Sequence, residues 1–164
     1  MEATNLDSTL SFLSETFGCE TTVDQYGLAN AICGSESLLA IVQELKTKYG
    51  FQFLTDICAV HYPSNENAEF QVVYHLHNLP KNARIRLKVN LSKDNLSVPT
   101  LVNEFSGANW MERETFDFYG IQFEGHPDLR RILNVDDMDY HPMRKEYALE
   151  DETRDDKNDT FFGR

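Results

Sequence analysis

Arg84-Ile85-Arg86-Leu87-Lys88-Val89-Asn90-Leu91 alternates polar and aliphatic side chains without interruption. A period of two belongs to a β-strand with one face buried and one wet. Just upstream, Phe70, Val72, Tyr74 and Leu76 alternate with Gln71, Val73, His75 and His77 in the same manner. Residues 51–61 are largely apolar and supply a third strand. The links at 63–68 and 79–83 are short and polar or proline-containing, as between antiparallel neighbours. An antiparallel sheet is therefore predicted for the middle of the chain.

Working outward, Leu6, Leu10, Leu13 and Phe17 recur at helical spacing, with Thr4 or Asn5 placed to cap and Gly18 to stop the helix. Residues 20–26 and 28–33 form a hairpin pattern turned at Gly27. Ser35 then stands as a cap for a second helix, in which Leu38, Val42, Leu45 and Tyr49 share a face and Gly50 is the stop. Both helices are amphipathic and need a sheet to cover. The fold class that follows is α+β, a mostly antiparallel sheet with helices packed on one side. Pro99 opens a further helical stretch at 100–105, and Gly107 separates it from a helix at 109–119. Three parts are predicted: an α+β domain over 1–120, an extended docking segment over 121–147, and an acidic tail over 148–164. Residues 146–164 hold seven acidic and three basic side chains and almost no apolar periodicity, so the tail is expected to be either disordered or held in order by a neighbour.

At 164 residues the chain suits one domain with a real core. Its net charge of −12 argues against nucleic acid, whose phosphates require a basic footprint, and against direct docking on anionic lipid. The longest aliphatic run, Leu38-Leu39-Ala40-Ile41-Val42, is far short of the roughly 20 apolar residues of a spanning helix. Met1-Glu2-Ala3-Thr4-Asn5 has no basic region of the signal-peptide kind. Any membrane association is thus expected to run through a partner. Cys19, Cys33 and Cys58 form no C-x-x-C pair, which points to a reducing compartment and gives no ligand set for an iron–sulfur cluster.

Neither G-x-G-x-x-G, nor G-x-x-x-x-G-K-[ST], nor G-x-S-x-G occurs, so nucleotide loops and the nucleophile elbow are not signalled. His75 and His77 share one strand face, with His61 on a neighbouring strand; a shared metal is one reading, exposed strand histidines the preferred one. Glu112, Arg113, Glu114 and Asp117 lie on the aromatic-rich helix with Trp110, Phe116, Phe118 and Tyr119. They could serve acid–base chemistry, an ordinary i,i+4 pair between Arg113 and Asp117, or a clamp within the chain or across an interface. Arg130-Arg131, beside Leu129, Ile132 and Leu133, could hold phosphate or carboxylate in bidentate fashion. In so acidic a chain, carboxylates of the chain itself or of a partner are the expected counterparts. Arg144-Lys145 repeats the device after His141-Pro142, so the two H-P…R-[RK] segments read as docking hooks.

The run from Trp110 to Leu133, W-M-E-R-E-T-F-D-F-Y-G-I-Q-F-E-G-H-P-D-L-R-R-I-L, followed by H-P-M-R-K-E-Y, resembles the signature of the C-type subunit of bacterial NADH:quinone oxidoreductase. The mitochondrial counterpart is the thirty-kilodalton subunit of respiratory complex I. The resemblance covers Trp110–Tyr147. One departure is Asp137-Met138-Asp139-Tyr140, where family members commonly carry an aromatic and a glycine before the second hook.

What the resemblance implies is a structural subunit of the peripheral arm with no catalytic residue, metal or cofactor of its own; flavin and iron–sulfur clusters sit in partner subunits. Its expected partner is the quinone-site subunit related to hydrogenase large subunits, on the cytoplasmic side of the inner membrane. Glu112, Arg113, Glu114, Asp117, His126, Arg130, Arg131, Arg144 and Lys145 are the expected interface residues. The equivalent subunit of an energy-converting membrane-bound hydrogenase or related dehydrogenase is the alternative within the superfamily. A free-standing enzyme using Glu112 and Glu114 is the alternative from another class.

Overall fold

In the computed structural model, which describes residues 6–65 and 68–147, the alternating stretch forms the middle strand of a five-stranded sheet. Along the chain run α1 (Leu6–Phe17), β1 (Glu20–Val23), β2 (Ala29–Cys33), a 3-10 turn (Ser35–Ser37), α2 (Leu38–Thr47), β3 (Phe53–His61), β4 (Phe70–Asn78) and β5 (Ala83–Leu91). β6 (Ser97–Pro99), α3 (Ala108–Tyr119) and β7 (Gln122–Glu124) follow. The expected caps Thr4 and Asn5 and the tail at 148–164 lie outside the described residues.

The sheet order is β1-β2-β5-β4-β3. β3, β4 and β5 form the antiparallel meander expected from their alternation, and β1–β2 is the expected hairpin. The contact between β2 and β5 is parallel. Alternation reports which face of a strand is buried and nothing about its neighbour, so this pairing was not legible in advance.

Register places Ile57 beside Tyr74, Val72 beside Val89 and Tyr74 beside Leu87, and these side chains build one buried face. Leu10 and Leu13 of α1 and Leu38, Ile41, Val42 and Leu45 of α2 join them in a single apolar cluster. Val98, Leu101, Phe105, Ile121 and Phe123 extend that same cluster toward α3. At about 25 cal/mol per Å² of apolar area removed from water, this layer is the main stabilising term of the fold.

Several local expectations change. Ser35 opens the 3-10 turn, and neither it nor Ser37 makes a side-chain cap to α2. Residues 100–105 make one turn, with Phe105 N–H donating to the Leu101 carbonyl at 2.8 Å. The Leu101 N–H at the start of this turn donates to Glu112. The parallel pair β6–β7 is too short for periodicity to reveal. Of the histidines expected to be exposed, His75 is half-buried and His77 is buried, its Nε2 lying 3.3 Å from Asn82 Oδ1 in the β4–β5 turn. His61 faces the core side opposite Phe70, with the two rings stacked 4.3 Å apart.

Candidate functional site

The motif residues gather around the C-terminal half of α3, which has two buried sides. Ala108, Glu112 and Thr115, spaced i, i+4, i+7, turn toward the core; Arg113 and Asp117, spaced i, i+4, turn toward the chain after β7. The simple Arg113–Asp117 pair is replaced by something more extended, because each reaches the 130–134 stretch instead of the other. Arg113 donates from Nε to the Arg130 carbonyl at 3.2 Å and from Nη2 to the Arg131 carbonyl at 3.0 Å. Its guanidinium also lies over the Trp110 ring, 5.3 Å from the centroid.

Asp117 is closed to solvent and fully engaged. Its Oδ2 accepts the N–H groups of Ile132, Leu133 and Asn134 at 3.1, 2.8 and 2.9 Å. Its Oδ1 accepts Arg131 Nη1 at 2.7 Å. Burial alone would raise this carboxyl, yet the Asn134 and Leu133 N–H donors and the Arg131 guanidinium hold it well below the usual carboxylate range. Arg131 donates further to the carbonyls of Met138 and Tyr140 at 2.7 and 2.9 Å, so one guanidinium fixes two later points of the segment.

A helix end leaves its last carbonyls without intrahelical partners. Here the second hook supplies them. His141 Nδ1 donates to the Asp117 carbonyl at 2.9 Å, Met143 N–H to the Phe118 carbonyl at 3.2 Å, and Arg144 Nε to the Tyr119 carbonyl at 2.8 Å. Burial lowers the His141 pKa, and the charges of Arg144 and Arg131 act the same way against the Asp117 carbonyl, so the ring serves as a neutral donor. Gly120 makes the fit possible. It is left-handed at φ 76°, and a Cβ there would stand 2.6 Å from both His141 and Arg144. The H-P-M-R stretch is thus a C-terminal cap for α3, built from sequence more than twenty residues on.

Lys145 is tied through its backbone: its N–H donates to His61 Nδ1 at 2.8 Å, while His61 Nε2 faces Glu69 Oε1 at 3.0 Å. His61, Glu69 and Glu146 bring ligand-type atoms within 4.8 Å of one another. A metal on Nε2 would need the ring proton on Nδ1, where the Lys145 N–H already points. The donor set therefore fits a latch rather than a metal centre.

The remaining predicted residues divide. His126 Nδ1 accepts the Asp128 N–H at 3.0 Å and Nε2 meets the Asn109 carbonyl at 3.2 Å, so it braces the first hook against the start of α3. The Arg130 side chain is exposed and pairs with exposed Asp128 at 2.9 Å. Glu114 is exposed and lines a groove of about 320 Å³ between β3 and α3, with Asp56, Cys58, Tyr119 and Met143. Glu112 is buried, accepting Thr100 Oγ1 at 2.5 Å and Leu101 N–H at 2.7 Å; burial pushes its pKa up to about 6 against those two bonds. It therefore anchors the 100–105 turn, well apart from Glu114 on the helix. Sequence reasoning missed His61 as the anchor of Lys145, 84 positions away, and no local signal marks it. Gly120 was legible only as a break.

Fold and site define an α+β domain that caps its own third helix with a preformed, irregular segment. The model for the 30 Kd subunit of respiratory-chain NADH dehydrogenase matches residues 31–153, and the chain belongs to that family. It is 49% identical over 118 residues to the C-type subunit of NADH-quinone oxidoreductase from Moorella thermoacetica, covering 72% of this chain and 78% of that protein. To the Geobacter sulfurreducens counterpart it is 40% identical over 120 residues, covering 73% and 74%. Among solved structures, the trypsin-resistant fragment of Nqo5 superposes with a TM-score of 0.69 at 30% identity, over 76% of this chain and 98% of the fragment. A chain of an archaeal membrane-bound sulfane sulfur reductase shares the fold, with TM-score 0.75 at 22% identity over 88% and 85% of the two chains.

Proposed function

We propose that this chain is a cofactor-free structural subunit in the peripheral arm of a proton-translocating NADH:quinone oxidoreductase. In this reading it braces the quinone-site subunit while electrons pass from NADH to quinone in its partners. Family membership and the names of the two NADH-quinone oxidoreductase subunits described above support the complex. The observation that carries the docking role lies in the segment itself. Backbone at 132–134 is fastened to Asp117, yet the side chains of Leu133 and Val135 stay 65% and 62% exposed. Tyr140, Met143 and Trp110 add exposed apolar surface nearby in sequence or on α3, and Arg130 adds a cation whose ion pair with Asp128 lies at the surface. Rigid apolar and aromatic anchors beside an arginine are what a protein partner buries.

The engagement of the acidic groups supports the non-catalytic part of this reading. Glu112 and Asp117 are consumed by backbone and hydroxyl donors, and Glu114 is exposed at the edge of the groove between β3 and α3. Among the described residues no helix is long and apolar enough to cross a membrane. In the proposed reading the chain attaches through a partner on the cytoplasmic side of the inner membrane. Purification of the tagged chain from solubilised membranes tests the reading. The expected result is co-recovery of flavin- and cluster-bearing subunits, with cross-links from residues 130–143 to the quinone-site subunit. Recovery of the chain alone, or with NADH or quinone reductase activity of its own, would overturn it.

A further inference from the structure

Two thiols that the proposed role leaves unused, Cys19 and Cys33, lie in one buried cluster where α1 meets β1 and β2. The β1–β2 register ends with Glu20 opposite Ile32, and continuing it one step beyond β1 sets Cys19 against Cys33. Hydrogen-bond parity says which kind of position this is. Asp24 N–H donates to the Leu28 carbonyl at 3.0 Å, and bonded pairs recur at every second residue, through Thr22–Asn30 to Glu20–Ile32. Cys19–Cys33 therefore falls on a non-bonded position, and Cys19 N–H indeed goes to the Leu13 carbonyl at 3.3 Å. At such positions the Cα atoms lie about 4.5 Å apart with side chains close on one face. Disulfides span Cα separations of roughly 4.4–6.8 Å. Both residues belong to the buried cluster, at 3% and 8% exposure, and both thiols are free. Cys58 is paired with Val73, on the opposite side of the sheet from Ile57 and Ala59.

We infer that Cys19 and Cys33 are an oxidisable dithiol, a site for exchange with a low-molecular-weight disulfide, whose product is a cross-strand bond stapling the α1–β1 corner to β2. With glutathione disulfide as oxidant, one cysteine thiolate attacks a glutathione sulfur and expels a glutathione thiolate. The second cysteine then displaces the other glutathione. Two electrons pass from the cysteine sulfurs to the glutathione sulfurs, the two protons follow, and two molecules of glutathione are released. Burial pushes the Cys33 thiol up to about 12, with Cys19 nearby acting in the same direction, and burial also raises Cys19. Exchange in the folded chain is accordingly slow and proceeds through local opening of α1. That limits the rate and leaves the equilibrium untouched. The inference stands independently of the assignment to a respiratory complex.

The test avoids the access problem by working at equilibrium. The full chain is refolded in glutathione buffers of graded redox ratio, quenched with an alkylating reagent and mapped by mass spectrometry; the same series is run in denaturing urea. The expected product links peptides bearing Cys19 and Cys33, with Cys58 outside the bond, and Cys58→Ser retains it. By linkage, a loop this short that closes without strain has an effective thiol concentration about a hundredfold higher in the folded chain than in urea. An effective concentration in the folded chain equal to or below that in urea would overturn the inference. So would an internal disulfide that engages Cys58.

Discussion

In the sheet, Tyr74, Leu76, Ile85 and Leu87 are essentially closed to solvent, whereas between positions 124 and 147 no residue is fully buried. The first region is held by apolar area, which is non-directional and forgiving of small shifts. The second is held by a few directed bonds converging on Asp117, Arg131 and the last carbonyls of α3. Apolar burial consumes the surface that makes it. Polar clasping leaves Leu133, Val135 and Tyr140 outward, free for a partner. The proposed docking role would gain from keeping the two kinds of support in separate parts of one chain.

Removing the clasp's centre should have the largest effect, releasing the segment while leaving the sheet in place. Asp117→Ala leaves the Arg131 guanidinium and three backbone N–H groups without their acceptor, and losing one partner of a buried pair costs about 3–5 kcal/mol. The expected result is early proteolytic cleavage within 126–147 while the strand signal in circular dichroism survives. The same group sets a pH dependence. Its folded pKa is depressed, so its stabilisation is fully present above the unfolded value near ~3.9 and is lost as pH falls below it toward the folded value. Acid should therefore release the segment before the sheet, as read by proteolysis at stepped pH.

Gly120→Ala comes next. The left-handed conformation costs a Cβ-bearing residue roughly 1–2 kcal/mol, and the new methyl must displace His141 and Arg144. Thermal unfolding should fall by several degrees, with the added exposure confined to 141–145.

Glu112→Gln is expected to act in the opposite direction and in the body. A carboxyl raised to about 6 contributes stability that is fully present below the unfolded value near ~4.3 and is lost as pH rises through about 6. At neutral pH the ionised form therefore costs roughly 1–2 kcal/mol. Glutamine keeps an acceptor for Leu101 N–H and can donate to Thr100. Urea unfolding should show equal or higher stability at pH 7.5, and a flatter dependence between pH 4.5 and 6.

The smallest effect on the isolated chain is expected from Arg130→Ala, since the exposed pair with Asp128 is worth about 0–1 kcal/mol. Its consequence should appear instead in membranes, as less assembled complex with near-normal NADH:quinone turnover per complex. Arg131→Lys separates the neighbours: charge is kept but the planar fork to Asp117, Met138 and Tyr140 is lost, so the isolated chain itself should weaken.

The body was largely legible because it obeys periodicities. Strict alternation at 84–91 and 70–77 located β5 and β4, and helical spacing located α1 and α2. The parallel β2–β5 contact was not legible, because a strand's own pattern does not name its neighbour. The site was legible as a set of letters and not as an arrangement. Arg130 and Arg131 look alike in sequence, yet one lies in solvent and the other is wired to Asp117. Nothing local tells that His141 and Arg144 turn back to cap α3, or that His61 receives Lys145. Such contacts depend on chain closure over long separations, which pattern cannot report.

Amide hydrogen exchange, followed residue by residue in the full chain and in Asp117→Ala, tests most directly whether the motif segment is a clasped, preformed surface. In the parent chain the amides of Ile132, Leu133 and Asn134 should be protected despite lying outside any helix or strand. In the variant that protection should vanish while β4 and β5 amides keep theirs. Fast exchange at 132–134 in the parent chain would contradict the account, as would loss of protection across the sheet together with the segment.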